Sequence, residues 1–395
     1  MSSDAILLIL LNFVLCVLAF VTRKKRILNN IFILCASVVV TLSVIELGYR
    51  LFFENETFYA KKFYKDFFQP DSALGYKMNR AGRYDAIKMN SRGDTLFKTS
   101  YTIIPDSGAN DSGFPHRIAF RDTSIGNEVI FLGCSFTFGE GLSDRQNLPF
   151  LVGDLSESNT VNLGCTGYGL HQIYQLFHEK FRNADNSGRV FVYSFLYDHI
   201  LRANGIYEWN QRGPFFMAKG DSIVRKSSVY DLHNHSINRF IRYASLFGSL
   251  HFIEKLLSAS IEVRRLRALT PNDYNNSLKM VYQMARSIKK SGGRFIVLDW
   301  DNKNWANEEL NTLPFQQLEQ KLNELPSLGA EVIRISSIAG LNDPANFIHG
   351  DGHPSEWMNY QIAVRLKEEI TRIKIQEPRS KIQINKRNKN IKSQK

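Results

Sequence analysis

The sequence predicts an α/β protein, a three-layer sandwich with helices on both faces of a mainly parallel sheet, preceded by an N-terminal transmembrane helical hairpin. Three observations carry that prediction. From Glu128 onward, short β-branched and aromatic runs ("EVIFLG", "TVNLG", "RVFVYSFL", "GRFIVLDW", "EVIRIS") alternate with amphipathic stretches, as expected of strands buried on both sides and linked by crossover helices. One such crossover, "SLKMVYQMARSIKKSGG", ends on glycines just before Arg294, a helix stop followed by a strand. At the N-terminus, two long apolar stretches flank "RKKR".

Residues 1–53 form the predicted anchor. "AILLILLNFVLCVLAFVT", residues 5 to 22, carries no charge and as a helix is long enough to cross a hydrocarbon core. A second apolar stretch is uncharged from Ile27 to Ile45. The basic residues Arg23 to Arg26 between them predict a cytoplasmic loop, which places everything after Phe53 on the outer face. A signal peptide would carry its charges ahead of the apolar run and a cleavage site behind it, whereas here the charges follow the first span.

Residues 54–127 are polar and aromatic, with runs such as "KTSYTIIP", and predict an irregular, β-containing lead-in. The α/β domain occupies 128–375, interrupted at about 200–271 by an aromatic and basic insertion containing Tyr207, Trp209, Phe215 and Phe216. Residues 376–395 form a basic tail, expected to be disordered. Hydrophobic residues make up 44% of the chain, enough for a sizeable core. The net charge of +12 is dispersed apart from Arg23–Arg26 and the tail; no nucleic-acid-binding motif accompanies it, so a nucleic-acid partner is not expected. Cys16, Cys35, Cys134 and Cys165 are too few for a disulfide framework.

Chemistry enters at Ser135, which follows "VIFLG". In open parallel sheets ligands gather beyond the carboxyl ends of the strands, and a serine hydroxyl becomes a nucleophile when a histidine takes its proton and a carboxylate orients that histidine. Of nine histidines, His353 in "HGDGHPSEWMN" has the best setting. Asp351 lies two residues before it, and Pro354 opens the last amphipathic helix. The expected catalytic set is Ser135, His353 and Asp351. No cofactor and no metal is expected, since neither a Walker loop, a glycine fingerprint nor a ligand-spaced His/carboxylate cluster occurs.

These blocks resemble the SGNH (GDSL-like) hydrolase superfamily. "FLGCSFTFGEG" is similar to its first block, with Ser135 as nucleophile; "VNLGCTGYGLHQ" to its second, with the Gly167 N–H joining that of Ser135 in an oxyanion hole; "DGHPSEWMN" to its last. The apolar hairpin ending in "ELGYRLFF" also resembles the anchor of membrane-bound bacterial members. The resemblance implies a flavodoxin-like sheet and a serine esterase in the bacterial cytoplasmic membrane. Its domain would lie outside the cytoplasm and remove acyl groups, O-acetyl above all, from a cell-surface glycan. An O-acyltransferase using the same triad, or a catalytically weak glycan-binding scaffold, are the alternatives.

The chain departs from the family pattern in several places. Cys134 stands where most members carry Asp. Cys134 itself as nucleophile, and a Cys134–Cys165 disulfide, are secondary readings beside two buried free thiols. The third block should supply an Asn to the oxyanion hole, and "YSFLYDHILRAN" has Tyr197 there; Tyr197 or Asn204 would serve instead. Acid and base are spaced Asp-x-His, with Gly352 between them. A literal Gly-Asp-Ser at Gly220 to Ser222 reads as a hairpin turn.

Overall fold

The computed structural model describes residues 3–52, 57–60, 66–90, 92–105, 114–122, 128–210, 212–220, 222–228, 269–301 and 315–372. Elements are numbered in chain order. At the N-terminus α1 (Ser3–Val21) and α2 (Arg26–Phe52) pack side by side across the basic turn. Hydroxyls within α2 bond back one turn, Ser37 to the Ile33 carbonyl and Thr41 to the Ser37 carbonyl, so these hydroxyls are satisfied within the helix. Among the described residues one segment, Arg26–Ile45, is long and apolar enough to cross a membrane, and none of it is buried in the protein. Asn12–Val21 is a shorter apolar helical stretch.

Among the described residues nine strands form one sheet. In spatial order they are β1 (Thr57–Tyr59), β4 (Gly82–Asn90), β5 (Thr95–Ile104), β6 (His116–Arg117), β8 (Asn159–Asn162), β7 (Glu128–Leu132), β9 (Arg189–Phe195), β12 (Arg294–Asp299) and β13 (Ala330–Arg334). From β8 to β13 every pairing is parallel. Those five strands, counted by themselves along the chain, lie in the order 2-1-3-4-5 expected of a flavodoxin-like sheet. On the other side of β8 the pairings through β6, β5, β4 and β1 are antiparallel. The sheet is therefore mixed rather than mainly parallel. The lead-in strands continue it and cover the β8 edge, which would otherwise present unpaired N–H and C=O groups.

Two hairpins complete the described strands: β2 (Phe68–Asp71) with β3 (Gly75–Met78), and β10 (Pro214–Lys219) with β11 (Ser222–Ser228). Gly220 follows β10 and Ser222 opens β11, the two ends of that hairpin's connection. Residues 229–268 of the expected insertion and the tail from 376 lie outside the described residues.

Alternation along β7 divides the core into two layers, because successive side chains leave opposite faces of a strand. Ile130 and Leu132 join α5 (Leu170–Lys180), α7 (Pro271–Lys290) and α8 (Phe315–Leu322) on one face. Val129 and Phe131 join α4 (Leu148–Ser156) and α9 (Glu356–Thr371) on the other. Helix α7 starts with Thr270 and Asp273 capping each other's backbone N–H. Its Leu278, Val281, Ala285 and Ile288 form one buried stripe, each large side chain worth about 1.5–3 kcal/mol. This frame leaves the carboxyl ends of β7, β8 and β9 together at one rim.

Candidate active site

Strand β7 ends at Leu132, and within three residues the chain turns into the short helix α3 (Ser135–Phe138). That turn carries Ser135 over the end of the sheet. A buried arginine braces the loop beyond α3: Arg117 of β6 donates to the carbonyls of Phe138 (2.7 Å), Gly139 (2.6 Å) and Leu142 (2.7 Å), and pairs with Asp144. Its guanidinium also lies against the rings of Tyr101 and Phe138.

His353 arrives from the other end of the chain on the loop before α9. Ser355 caps that helix by accepting from the Met358 N–H, and its hydroxyl donates to the Ala345 carbonyl. The Ile348 N–H donates to the His353 carbonyl at 2.8 Å, closing the loop, and Gly352 at φ 82° allows the tight Asp-x-His spacing. Phe136 packs against the imidazole with ring centroids 5.4 Å apart.

The structure brings three of the predicted residues together. His353 Nε2 lies 2.8 Å from Ser135 Oγ, and Nδ1 lies 2.5 Å from Asp351 Oδ2. An ionised carboxylate only accepts, so the proton of a neutral imidazole sits on Nδ1; Nε2 is then free to accept the Ser135 O–H. Ser135 is 5% exposed, with its hydroxyl directed at His353. Burial alone would push the Asp351 carboxyl up, but the His353 hydrogen bond and charge, with Lys88, bring it down to about 2.

Gly167 stands in the turn after β8, at φ 80°, where a Cβ is disfavoured. The carbonyls around it are tied down: Tyr76 donates to Thr166 (2.9 Å), Asn210 to Gly167 (2.8 Å) and Arg202 to Tyr168 (2.9 Å). The Gly167 N–H has no partner among the described residues. The Cys165 N–H donates to the Gly133 carbonyl at 3.2 Å, which sets this turn beside the one that bears Ser135. The N–H groups opening α3 likewise lie beyond the reach of helix bonding. The exposed indole of Trp209, stacked on Tyr207 at 4.7 Å, flanks Gly167: a Cβ there would lie 3.4 Å from Nε1.

Of the two substitutes for the missing Asn, Asn204 is engaged elsewhere. Tyr197 is buried, its ring edge-on to Phe195 with centroids 5.6 Å apart, and burial, with the charges of Asp299, Glu319 and Asp301, pushes its phenol up. Asn204 donates to the Ile200 carbonyl and the Ser277 hydroxyl, which holds it against α7. The two residues flank the helical turn after β9, α6 (Asp198–Ala203), Tyr197 before it and Asn204 after it. Cys134 and Cys165 are free and buried. Burial pushes the Cys134 thiol up, away from the thiolate a cysteine nucleophile needs.

Sequence reasoning missed Glu140 and Lys88. Lys88 Nζ lies 3.1 Å from Glu140 Oε1 and 2.6 Å from Asp351 Oδ1, and Glu140 Oε2 lies 3.7 Å from His353 Nε2. Glu140 stands out within "FTFGEGL" as a lone charge in an apolar run, a signal that was available. Lys88 carried none, since it belongs to an exposed-looking strand of the lead-in. Glu140, Asp351 and His353 offer ligand atoms within 4.8 Å of one another, the grouping of metal-ligating types among the described residues. The Lys88 ammonium already supplies the positive charge between its two carboxylates.

No family model matches the chain, and no curated protein matches it. Among solved structures it is similar to a G-D-S-L family lipolytic protein from Desulfitobacterium hafniense, at 11% identity and a TM-score of 0.34, over 62% of this chain and 99% of that one. A carbohydrate esterase of family 2 with its carbohydrate-binding domain, from Corynascus thermopiles (Myceliophthora fergusii), gives 12% and 0.34, over 66% and 69%. A GDSL-like lipase from Bacteroides ovatus gives 13% and 0.33, over 67% and 58%.

Proposed function

We propose that the chain is a serine esterase anchored in the membrane by its N-terminal helices, removing acyl groups, chiefly O-acetyl, from a cell-surface glycan. One observation carries the reading: Ser135, His353 and Asp351, drawn from two distant segments, form a continuous hydrogen-bonded chain at 2.8 and 2.5 Å. Ser135 Oγ attacks the ester carbonyl while its proton passes to His353 Nε2. Asp351 holds the Nδ1 proton and the ring orientation. The developing oxyanion is met by the N–H groups of Ser135 and Gly167, donors fixed before the reaction starts, which is the arrangement that lowers such barriers most. The leaving alcohol takes the proton from Nε2, and water then repeats the sequence on the acyl-enzyme.

The carbohydrate part of the reading rests on Trp209, half-exposed beside Gly167, where an indole face can stack on a sugar ring. The membrane part rests on Arg26–Ile45 and the apolar helix before it. The test is hydrolysis of p-nitrophenyl acetate by the full chain in mild detergent, beside Ser135→Ala and His353→Ala, followed by product mass with an acetylated oligosaccharide. Loss of at least about a thousandfold in both variants is expected; undiminished hydrolysis in either refutes the triad. An acetylated acceptor in place of free acetate would make the protein a transferase.

A further inference from the structure

The triad leaves two charged side chains of the same centre without a part. Glu140 lies five residues beyond Ser135 on the turn after α3, its side chain 3% exposed. Its Oε2 faces Nε2 of His353, the nitrogen that bonds Ser135. Lys88, from β4, is 11% exposed and bridges Glu140 to Asp351. Asp351 thus faces the imidazole from the Nδ1 side and Glu140 from the Nε2 side, with Lys88 joining the two carboxylates. The other groups packed here are neutral: Ser135 and Phe136 from α3, and Tyr59 of β1 and Tyr101 of β5 near Glu140. Burial pushes both phenols up, so they stay protonated.

Two carboxylates against one ammonium leave one net negative charge in a buried place, which is costly unless balanced. Lys88 and Asp351 alone would already be neutral together. The surplus carboxylate stands on the side where the proton arrives. Burial would push Glu140 up, but His353, Lys88 and Tyr59 hold it below its ordinary value, so it is ionised when the proton comes.

We propose that Glu140 and Lys88 are positioning residues of this centre: Glu140 completes an electrostatic socket for the imidazolium that His353 becomes on taking the Ser135 proton, and Lys88 fixes both carboxylates and limits their surplus to one charge. The inference rests on the Ser135–His353 reading. During attack the Oγ–acyl bond forms, the carbonyl electron pair moves to oxygen, and the Oγ proton moves to Nε2. On collapse the leaving alkoxide takes that proton. Glu140 exchanges no proton in either step; it favours the charged ring between them.

The test is the pH dependence of p-nitrophenyl acetate hydrolysis by the full chain in detergent, for wild type, Glu140→Gln, Glu140→Asp, Lys88→Met, Lys88→Arg and Ser135→Ala. Turnover needs a neutral His353, so removing a negative neighbour moves the acid limb of kcat/KM to lower pH, and removing a positive one moves it higher. For Glu140→Gln we expect kcat down about tenfold, KM within about twofold, and the limb lower by about half a unit or more, as a charge 3.7 Å away demands even in a watery setting. Lys88→Met moves the limb the other way, while Glu140→Asp and Lys88→Arg recover part of each effect. Should Lys88→Met fail to fold, Glu140→Gln and the conservative pair decide. A Glu140→Gln profile that superimposes on wild type, with Ser135→Ala inactive, overturns this inference alone. Activity retained in Ser135→Ala overturns the triad and the inference with it.

Discussion

Replacing Asp351 by Asn tests the centre through two independent readings, stability and turnover. The carboxylate is fully buried, 2.5 Å from His353 Nδ1 and 2.6 Å from Lys88 Nζ. Although burial opposes ionisation, these partners bring the group from 3.8 to about 2. At about 1.4 kcal/mol per pH unit, that depression ties about 2.5 kcal/mol of folding stability to the ionised form. Because the folded value is the lower one, this contribution is present in full above about pH 5 and fades as pH falls through 3.8 toward 2. Asn carries no charge at any pH. The variant should therefore be about 2.5 kcal/mol less stable than wild type at neutral pH, with the gap closing toward pH 2. Urea denaturation of the full chain in detergent at a series of pH values measures it. Asn also cannot stabilise the imidazolium, so kcat should fall by about 10³–10⁴. A stability gap that stays constant with pH, or hydrolysis within about tenfold of wild type, would refute the reasoning.

Three further perturbations probe the parts around the triad. In Gly167→Ala the new Cβ would sit 2.6 Å from Tyr76 Oη at a backbone φ of 80°; about 1–3 kcal/mol of stability should be lost, and kcat should drop about a hundredfold as the N–H turns away, both read on the same preparation by melting and hydrolysis. Arg117→Met leaves the Leu142 carbonyl without its arginine donor, strips one donor each from Phe138 and Gly139 and breaks the Asp144 pair, and a loss of about 3–5 kcal/mol is expected, read from urea denaturation. Trp209→Ala should raise KM for an acetylated oligosaccharide about tenfold more than for p-nitrophenyl acetate, a stacking loss of about 1.4 kcal/mol; equal changes for the two substrates would remove the indole from sugar recognition.

Much of the molecule was legible in its sequence because periodicity is local. The β-branched runs from Glu128 onward mark strands buried on both faces, and the stripe of Leu278, Val281, Ala285 and Ile288 marks a helix that covers one of them. Ser135 at a strand tip and His353 before a capped helix were legible for the same reason: strand ends and helix starts leave short-range signatures. In the lead-in, "YDAIKMN" and "LFKTSYTII" interleave charge with apolar residues. They read as irregular because β4 and β5 are half-buried strands in a sheet whose other members lie far along the chain.

By itself, then, the sequence determined the elements, their alternation and the two segments that bear the hydroxyl and the imidazole. Only the tertiary structure decided that β4 would continue the sheet, that Lys88 would lie between Glu140 and Asp351, and that Asn204 would bond Ser277 instead of facing Ser135. The reason is physical. A side chain's face on a strand is set by its immediate neighbours, but the partners of a buried charge are set by which strands and turns come to lie together, and residues 88, 140 and 351 meet only once the whole sheet has assembled.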